Sequence, residues 1–301
     1  MTIEENVILK QFTTFKCGGP AKYFAEPEKP EDIVELIGFA KEKGLKILIL
    51  GLGSNMLISD SGFDGLVIRI GKKMGTISFE DDGEYTIVTA SAGCSLALFG
   101  NRCASEGLEG AEFCCGIPGT VGGAVFMNAG AYGREIKDIA VSADYLLDGE
   151  VHTIDASECA FGYRKSIFEQ MTSEGKDAIV LSLKARLKKG DKEKILEYVN
   201  ELKEKRTKSQ PVEVPSAGST FKRPEGYFAG ALIEGSGLKG FALDDSGAQV
   251  SPKHAGFVVN NGGKASAADV MKLIRYIQDK VYADSGVRLE TEVRLIGGDG
   301  N

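Results

Sequence analysis

Apolar residues recur at helical spacing in three long segments of the chain. Residues 30–44 begin with acidic side chains, end at a glycine, and place their apolar residues on one face: Ile33, Leu36, Ile37 and Ala40. Residues 191–205 and 268–282 show the same spacing. Because such a stripe is typical of an amphipathic helix, we predict helices in these three segments, and a fourth helix in residues 95–107.

Shorter apolar runs between glycine-rich turns predict strands. Residues 46–50 form a buried strand candidate that ends at the glycine turn of residues 51–53. Further strands are predicted at residues 66–70, 76–80, 85–90, 141–147, 151–154, 178–187 and 288–296. Since strands dominate the middle of the chain without regular alternation with helices, the pattern predicts an α+β fold. The proline-flanked stretch at residues 210–215 predicts a domain boundary.

The charge balance argues against a nucleic-acid partner. The 301 residues carry 36 Lys and Arg against 43 Asp and Glu, a net charge of −7. Binding to a phosphate backbone depends on clustered basic residues, which this balance does not favour. The first eleven residues do not have the pattern of a secretory signal, and no apolar stretch is long enough for a membrane span. We therefore expect a cytoplasmic protein with no membrane partner.

Neither the cysteines nor the histidines predict a metal site. The six cysteines include no pair at CxxC spacing, and in a cytoplasmic protein we expect them to be reduced. His152 and His254 each lack a nearby ligand at metal spacing, and the chain contains no GxSxG motif. A zinc hydrolase and a Ser-His-Asp hydrolase are thus disfavoured, and both histidines are predicted to be structural.

Two glycine loops are the strongest candidates for ligand binding. Residues 116–133 contain six glycines among eighteen residues, a density that lets backbone N–H groups converge on an anion such as a pyrophosphate. A tightly packed turn is the alternative that glycine content alone leaves open. The other loop, at residues 51–56, is not a GxGxxG fingerprint because Met56 replaces the third glycine, and no P-loop motif is present. The two loops together suggest a different dinucleotide cradle.

Seven motifs, spread in order over nearly the whole chain, carry a resemblance to one family. They are TFKCGGPA (14–21), GLGSN (51–55), GIPGTVGG (116–123), MNAGAYG (127–133), FGYRKS (161–166), AGSTFK (217–222) and LETEVR (289–294). Together they resemble the UDP-N-acetylenolpyruvoylglucosamine reductase family, flavoenzymes of bacterial cell-wall synthesis. The short span between Arg164 and the helix at residue 191 is similar to the second subtype of that family.

The resemblance implies an FAD-binding fold of the vanillyl-alcohol oxidase and carbon monoxide dehydrogenase flavoprotein type, with a C-terminal α+β substrate domain. The implied division is residues 1–67 with the tail 295–301, residues 68–207, and residues 208–294. The implied FAD contacts lie in the two glycine loops: Gly51, Gly53, Ser54, Asn55, Gly116, Ile117, Pro118, Gly119, Thr120, Gly122 and Gly123. Since no histidine occurs in the first loop, the flavin is expected to be noncovalent.

The resemblance also implies a reaction and its catalytic residues. NADPH would deliver a hydride to FAD, and reduced flavin would pass it to an enolpyruvyl group, with UDP-N-acetylmuramate as product. Arg164 would bind the substrate carboxylate, protonated Glu292 would stabilise the developing negative charge, and Ser219 would donate the proton. From pattern alone, Arg164 is more typical of a surface ion pair and Ser219 of a turn. Glu290, Glu292 and Arg294 alternate onto one face of the predicted strand, which on pattern alone is more typical of a solvated face.

Two basic residues are implied contacts of the UDP diphosphate, namely Arg206 and Lys222, although solvated side chains are the alternative. The chain departs from the family pattern at Arg223, where asparagine is common, and at Gly256, where many members also have asparagine. We expect a monomer. An oxidase of small alcohols, or a module that binds flavin or UDP-sugar without turnover, are the alternative functions.

Overall fold

The computed structural model describes residues 2–298 and divides into two compact units. The first unit contains Ala25–Gly51 and Val67–Lys205, and the second contains Glu4–Phe24, Leu52–Leu66 and the chain from Arg206 onward. The three-part division implied by the resemblance is drawn on a different basis and stays a prediction. The end of its predicted tail, residues 299–301, lies outside the described residues.

Four of the helices are those that the apolar spacing predicts. Within residues 2–298 the α-helices are α1 (Pro30–Glu42), α2 (Leu96–Ser105), α3 (Val121–Phe126), α4 (Ile167–Ser173), α5 (Lys192–Ser209), α6 (Ala229–Gly235) and α7 (Ala267–Ser285). Helices α1, α2, α5 and α7 confirm the predicted segments, with α5 ending four residues later than expected. The short helices α3, α4 and α6 contain too few turns for a periodic pattern, and the sequence did not predict them.

The strands confirm the predicted α+β class. In the described residues they are β1 (Ile3–Ile8), β2 (Pro20–Ala25), β3 (Lys46–Leu50), β4 (Met56–Ile58), β5 (Phe63–Arg69), β6 (Ile77–Asp82), β7 (Tyr85–Ser91), β8 (Leu108–Glu109), β9 (Gly130–Ala131), β10 (Arg134–Glu135), β11 (Ala140–Leu147), β12 (Glu150–Asp155), β13 (Ile179–Lys189), β14 (Ala248–Val250), β15 (Val258–Asn260) and β16 (Arg294–Ile296). The long strand predicted at 288–296 is wrong: only its last three residues are a strand, and they pair with β4 in parallel.

The first unit is built on an antiparallel sheet. Its strand order is β12-β11-β13-β7-β6, with β8 paired to the far end of β13. Strand β7 alternates half-buried and buried residues, so one face of the sheet faces a core. That core contains Val88 and Leu183 from the sheet, Phe99 from α2 and Val125 from α3. The glycine loop at 116–123 therefore leads into a helix that is fixed against the sheet.

Helix α7 organises the core of the second unit. One face of α7 is fully buried: Val270, Leu273, Ile274, Ile277 and Val281. The helix begins at a capping box in which the Ser266 hydroxyl accepts from the Asp269 N–H and the Asp269 carboxylate accepts from the Ser266 N–H. It ends at Gly286, whose φ of +72° is the left-handed conformation typical of a helix stop.

All six cysteines are free and buried. Burial raises the pKa of Cys17, Cys115 and Cys159 to about 11 each, so these thiols stay protonated and unreactive at neutral pH. Across residues 2–298, no group of three or more His, Cys, Asp or Glu side chains is arranged to hold a metal ion. None of the helices in the described part of the chain combines the length and apolar character that crossing a bilayer requires.

Candidate active site

The second glycine loop of the sequence is anchored in the first unit at Thr120. Thr120 caps helix α3, where its hydroxyl accepts a hydrogen bond from the Gly123 N–H at 3.3 Å. Gly119 has a φ of +153°, a value that side-chain-bearing residues rarely adopt. At Gly122 an added Cβ would lie 2.8 Å from the Ala92 Cβ, so only glycine fits there. Gly119 is thus favoured by its backbone conformation, and Gly122 by its close approach to Ala92.

The two glycine loops meet inside the first unit. A Cβ placed on Gly51 would lie 2.5 Å from the Thr120 hydroxyl oxygen, well inside contact distance. Loop residues Pro118 and Gly123 are exposed, and Gly116 and Ile117 are half-buried. A small, partly apolar and accessible backbone surface of this kind fits a flat dinucleotide, since the chain can approach the ligand closely. The residues present thus suit the predicted cofactor.

Gly53, the second glycine of the first loop, belongs to the second unit. Its φ is +62°, and a Cβ there would lie 2.4 Å from the Phe12 carbonyl oxygen. The Gly53 carbonyl accepts a hydrogen bond from the Thr14 N–H at 3.2 Å. The TFKCGGPA motif therefore supports the GLGSN motif directly, which the spacing of the two motifs in the sequence could not indicate. Ser54 and Asn55, the next two predicted flavin contacts, are half-buried.

Arg164 lies at the tip of a tight turn in the first unit. Gly162 and Lys165 exchange two backbone hydrogen bonds of 3.1 and 3.2 Å around it, and Arg164 has a φ of +55°. Its side chain is held in one direction, because Nη2 donates to the Gly130 carbonyl at 3.3 Å and the guanidinium lies 5.1 Å from the centroid of the Tyr163 ring. A left-handed, non-glycine residue at such a turn is strained, and residues of this kind cluster at functional sites.

Ser219 and Glu292 are brought together by backbone hydrogen bonds in the second unit. The Glu292 N–H donates to the Thr220 carbonyl at 2.8 Å, and the Lys222 N–H donates to the Glu290 carbonyl at 2.8 Å. On its other side the segment is fixed where the Thr220 N–H donates to the Gly256 carbonyl at 2.9 Å. Ser219 is exposed and Glu292 is half-buried. Two of the three predicted catalytic residues therefore lie on adjacent segments of chain.

Asn55 is bonded to the same arrangement. Its side-chain Nδ2 donates to the Glu292 carbonyl at 3.1 Å, and its own carbonyl accepts from the Arg294 N–H at 3.0 Å. Asn55 thus connects the first glycine loop to the Glu292 segment. Its predicted contact with FAD stays a prediction, and it has a structural role that the sequence did not indicate.

Glu292 does not lie on a regular strand, which corrects the predicted alternation of Glu290, Glu292 and Arg294 on one strand face. Strand β16 begins only at Arg294, and the residues before it are joined to the serine segment by a single bridge between Phe221 and Thr291. Residues 290–292 therefore pair with the irregular segment at residues 219–222 instead of with a strand. A single sequence does not indicate such a pairing.

Lys222 and Arg206 are the two residues predicted to contact the UDP diphosphate. Lys222 Nζ lies 3.2 Å from a carboxylate oxygen of Glu290, and both side chains are substantially exposed. Arg206 is half-buried in the last turn of α5. Arg223, the first departure from the family pattern, places its guanidinium 4.0 Å from the centroid of the Phe228 ring. Arg223, which follows Lys222 in the sequence, is thus held by an aromatic contact.

Both histidines, which are predicted to be structural, pack against aromatic side chains. His254 Nδ1 accepts a hydrogen bond from the Gly256 N–H at 3.1 Å, and its ring packs edge-on against Phe257. Burial lowers the pKa of His254, so it is neutral at pH 7. A Cβ at position 256, the second departure from the family pattern, would lie 3.0 Å from the His254 ring, a tight contact that glycine avoids. His152 packs against Tyr145 on the neighbouring strand.

The comparisons with known proteins first define a class. A family model described as an FAD binding domain matches residues 21–155, a range that includes both glycine loops. A second model, described as the C-terminal domain of UDP-N-acetylenolpyruvoylglucosamine reductase, matches residues 210–296, a range that includes Ser219 and Glu292. The chain is therefore an FAD-binding protein with a reductase-type C-terminal domain.

Full-length relatives define the family. UDP-N-acetylenolpyruvoylglucosamine reductase from Agathobacter rectalis is 48% identical, covering 96% of this chain and 92% of the relative. The enzyme of that name from Alkaliphilus oremlandii is 45% identical over 96% of this chain and 91% of the relative. A crystal structure of the reductase from Thermus caldophilus has a TM-score of 0.82 and 35% identity, covering 99% of this chain and 100% of that chain. The chain belongs to the UDP-N-acetylenolpyruvoylglucosamine reductase family.

These comparisons confirm the family and the FAD-binding fold that the seven motifs predicted. Thr220 and Asn128 are polar residues of the motifs for which no role is predicted from sequence. Both are fully or almost fully buried. Their burial, which indicates a structural or functional role for a polar side chain, becomes visible only in the structure.

Proposed function

We propose that this chain catalyses the NADPH-dependent, FAD-mediated reduction of UDP-N-acetylglucosamine enolpyruvate to UDP-N-acetylmuramate, a step of peptidoglycan precursor synthesis. The observation that carries the proposal is similarity to reductases of this name over nearly the full length of the chain. We further propose that the protein acts in the cytoplasm as a monomer.

The two glycine loops would hold FAD noncovalently. Gly51 and Thr120, which meet in the first unit, support this assignment, together with the accessible backbone of residues 116–119. The remaining contacts would come from Gly53, Ser54, Asn55, Gly122 and Gly123, and no histidine at residues 54–56 is available for covalent attachment. When bound, FAD supplies a two-electron carrier that accepts a hydride from NADPH and delivers it to the enolpyruvyl methylene carbon.

Arg164 would bind the carboxylate of the enolpyruvyl group. Addition of a hydride to the methylene carbon places negative charge on the adjacent carbon and into its carboxylate. A planar guanidinium stays charged at all physiological pH values and can grip both carboxylate oxygens. Because the Gly130 carbonyl and the Tyr163 ring hold the guanidinium before substrate binds, less ordering is needed in the transition state.

Ser219 would complete the reaction by protonating the carbon that carries the carboxylate. The Ser219 hydroxyl gives its proton as the new C–H bond forms, and the resulting alkoxide takes a proton back from solvent. Serine is a weak acid, so the step needs a strongly basic carbanion. Glu292, protonated, would donate a hydrogen bond to the same carboxylate. The hydrogen bond from the Glu292 N–H to the Thr220 carbonyl holds the two segments together, which supports the proposal that Ser219 and Glu292 act on the same substrate group.

Lys222 and Arg206 would bind the UDP diphosphate. Lys222 is paired with Glu290 in an exposed ion pair, which contributes little to stability. A diphosphate carries more charge than one carboxylate and can compete for the lysine.

The proposal is tested on the purified protein reconstituted with FAD. NADPH absorbance is followed before and after addition of UDP-N-acetylglucosamine enolpyruvate, and the product is identified by mass spectrometry. We expect flavin absorbance bands and NADPH loss that depends on the substrate. Reoxidation by oxygen without any response to NADPH would instead indicate an oxidase, and tight UDP-sugar binding without NADPH loss would indicate a module without turnover.

A further inference from the structure

Asn128 is a buried asparagine that follows helix α3 and lies at the centre of a polar network. Its exposure is 0%, and its φ is +45°. Nδ2 donates to the Gly162 carbonyl at 2.9 Å and to a Glu135 carboxylate oxygen at 3.1 Å, and Oδ1 accepts from the Lys137 N–H at 3.0 Å. Both ends of the side-chain amide are therefore used, as a buried amide requires.

The bond to Gly162 fixes one side of the turn that carries Arg164. Gly162 is the residue whose backbone pairs with Lys165 across that turn. On the other side, the Ser166 hydroxyl donates to the Phe126 carbonyl and also caps helix α4. The two attachments run from the turn to the same short segment, residues 126–130. That segment also supplies the Gly130 carbonyl that accepts from the Arg164 guanidinium.

The turn needs such attachments because its conformation is strained. Arg164 has a left-handed φ of +55°, which residues other than glycine seldom adopt, and its side chain is half-buried. Strained backbone persists only where its surroundings fix it. Asn128 is fixed in turn by Lys137 and Glu135, and its own positive φ is one that asparagine tolerates better than most residues.

We propose that Asn128 is a positioning residue that sets the place of the Arg164 guanidinium for the substrate carboxylate. The inference rests on the proposed function, since it assumes that Arg164 binds that carboxylate. Through α3, which begins at Thr120, the same segment connects the turn to the flavin loop. A shift of residues 126–130 should move the guanidinium, whereas Ser219, Lys222 and Glu292, the other proposed substrate contacts, lie outside this segment.

The experiment compares two ligands that differ at the carboxylate. UDP-N-acetylmuramate carries it on the lactyl group, whereas UDP-N-acetylglucosamine does not. Binding of each is measured by titration of the flavin absorbance spectrum of the FAD-loaded protein. We expect Asn128→Gly to weaken UDP-N-acetylmuramate about tenfold, the loss of a charge-assisted contact, and to change UDP-N-acetylglucosamine less than about twofold. Glycine accepts a positive φ, so the backbone is not strained further.

Two further variants separate positioning from general stability. Asn101→Ala is the matched control, since Asn101 likewise uses both ends of its side-chain amide in the first unit, donating to the Ala97 carbonyl and accepting from Lys203 Nζ, away from the turn. It should leave the ratio of the two affinities unchanged. If Asn128→Gly does not fold, Asn128→Asp preserves the shape and the bond from the Lys137 N–H but loses the Nδ2 donors, and it should show the same selective loss.

Arg164→Gly completes a double-mutant cycle. If Asn128 acts through Arg164, adding Asn128→Gly to Arg164→Gly produces no further loss for UDP-N-acetylmuramate. An Arg164→Gly variant that does not distinguish the two ligands would overturn the proposed role of Arg164 itself. A selective effect of Arg164→Gly, combined with an equal effect of Asn128→Gly on both ligands or an additive double variant, would overturn the role of Asn128 alone.

Discussion

The turn that carries Arg164 and the segments that carry Ser219 and Glu292 are attached to their surroundings mainly by different kinds of hydrogen bond. In the first unit, buried side chains hold a strained turn: Asn128 on one side and Ser166 on the other. In the second unit, backbone hydrogen bonds of 2.8 and 2.9 Å hold the serine segment between two other segments. Side-chain attachments are lost by one substitution, whereas backbone bonds survive almost any substitution except proline.

The difference shows where mutation can separate the loss of a functional side chain from a change in its position. Replacing Ser219 or Glu292 should remove a proposed catalytic group and leave the backbone in place. Replacing Asn128 should leave the Arg164 guanidinium present but change its position.

Ser219→Ala should lower the rate of product formation by about 10³-fold, the contribution typical of a positioned proton donor. Because the side chain is exposed, the free energy of unfolding should change by less than about 0.5 kcal/mol. NADPH loss in the presence of the enolpyruvyl substrate measures the rate, and thermal unfolding measures the stability. Ser216→Ala, three residues earlier, is the control and should retain activity. An active Ser219→Ala enzyme would remove serine from the proton transfer.

Arg164→Gly should separate activity from stability within the side-chain-held turn. Loss of the guanidinium should lower kcat/KM about 10²-fold, while the left-handed backbone is relieved, since glycine adopts a positive φ without strain. The free energy of unfolding should therefore stay within about 1 kcal/mol of the wild-type value, despite the lost bond to Gly130. Arg164→Lys should recover little activity, because the ammonium lacks the planar fork. A strongly destabilised Arg164→Gly protein would show that the turn is not strained.

Thr220→Val tests the side-chain bond that adds to the backbone bonds of the second unit. The Thr220 hydroxyl, almost fully buried, accepts from the Val258 N–H at 2.9 Å. Valine preserves the shape and leaves that N–H unpaired, which should cost about 1–3 kcal/mol of unfolding free energy. Since backbone bonds still hold Ser219 and Glu292, the rate of the folded enzyme should fall less than about tenfold. A larger fall would mean that backbone bonds alone do not position the serine.

The long elements and the motifs were predictable from sequence because their signals are local. Helix α7 has both its apolar stripe and its Ser266–Asp269 capping pair within a few residues. The strand at Lys46–Leu50 was predicted with its observed bounds, since a continuous apolar run ends there at glycine. The glycine loops could be recognised by composition.

The attachments between motifs were not predictable, because each joins residues far apart in the chain. Asn128 bonds to Gly162 across 34 positions, and Asn55 bonds to Glu292 across 237. The regular alternation in residues 289–294 predicted a strand, but the irregular segment at 219–222 pairs with it instead. The residue type of Arg164 does not predict its positive φ. Tertiary pairing overrode the local pattern at the very residues proposed to be catalytic.

The Lys222–Glu290 ion pair gives the smallest predicted effect and extends the comparison to substrate binding. The Lys222 backbone is held by its own N–H bond to the Glu290 carbonyl, so changing the Glu290 side chain does not move the lysine. Glu290→Gln should free the lysine for the diphosphate and lower KM for the UDP-substrate about twofold at low salt. Because exposed charges are screened, the gain should vanish at high salt. Glu225→Gln, an exposed control with the same charge change, should leave KM unaltered. A raised KM for Glu290→Gln would mean that Glu290 orients Lys222 for the substrate rather than competing with it.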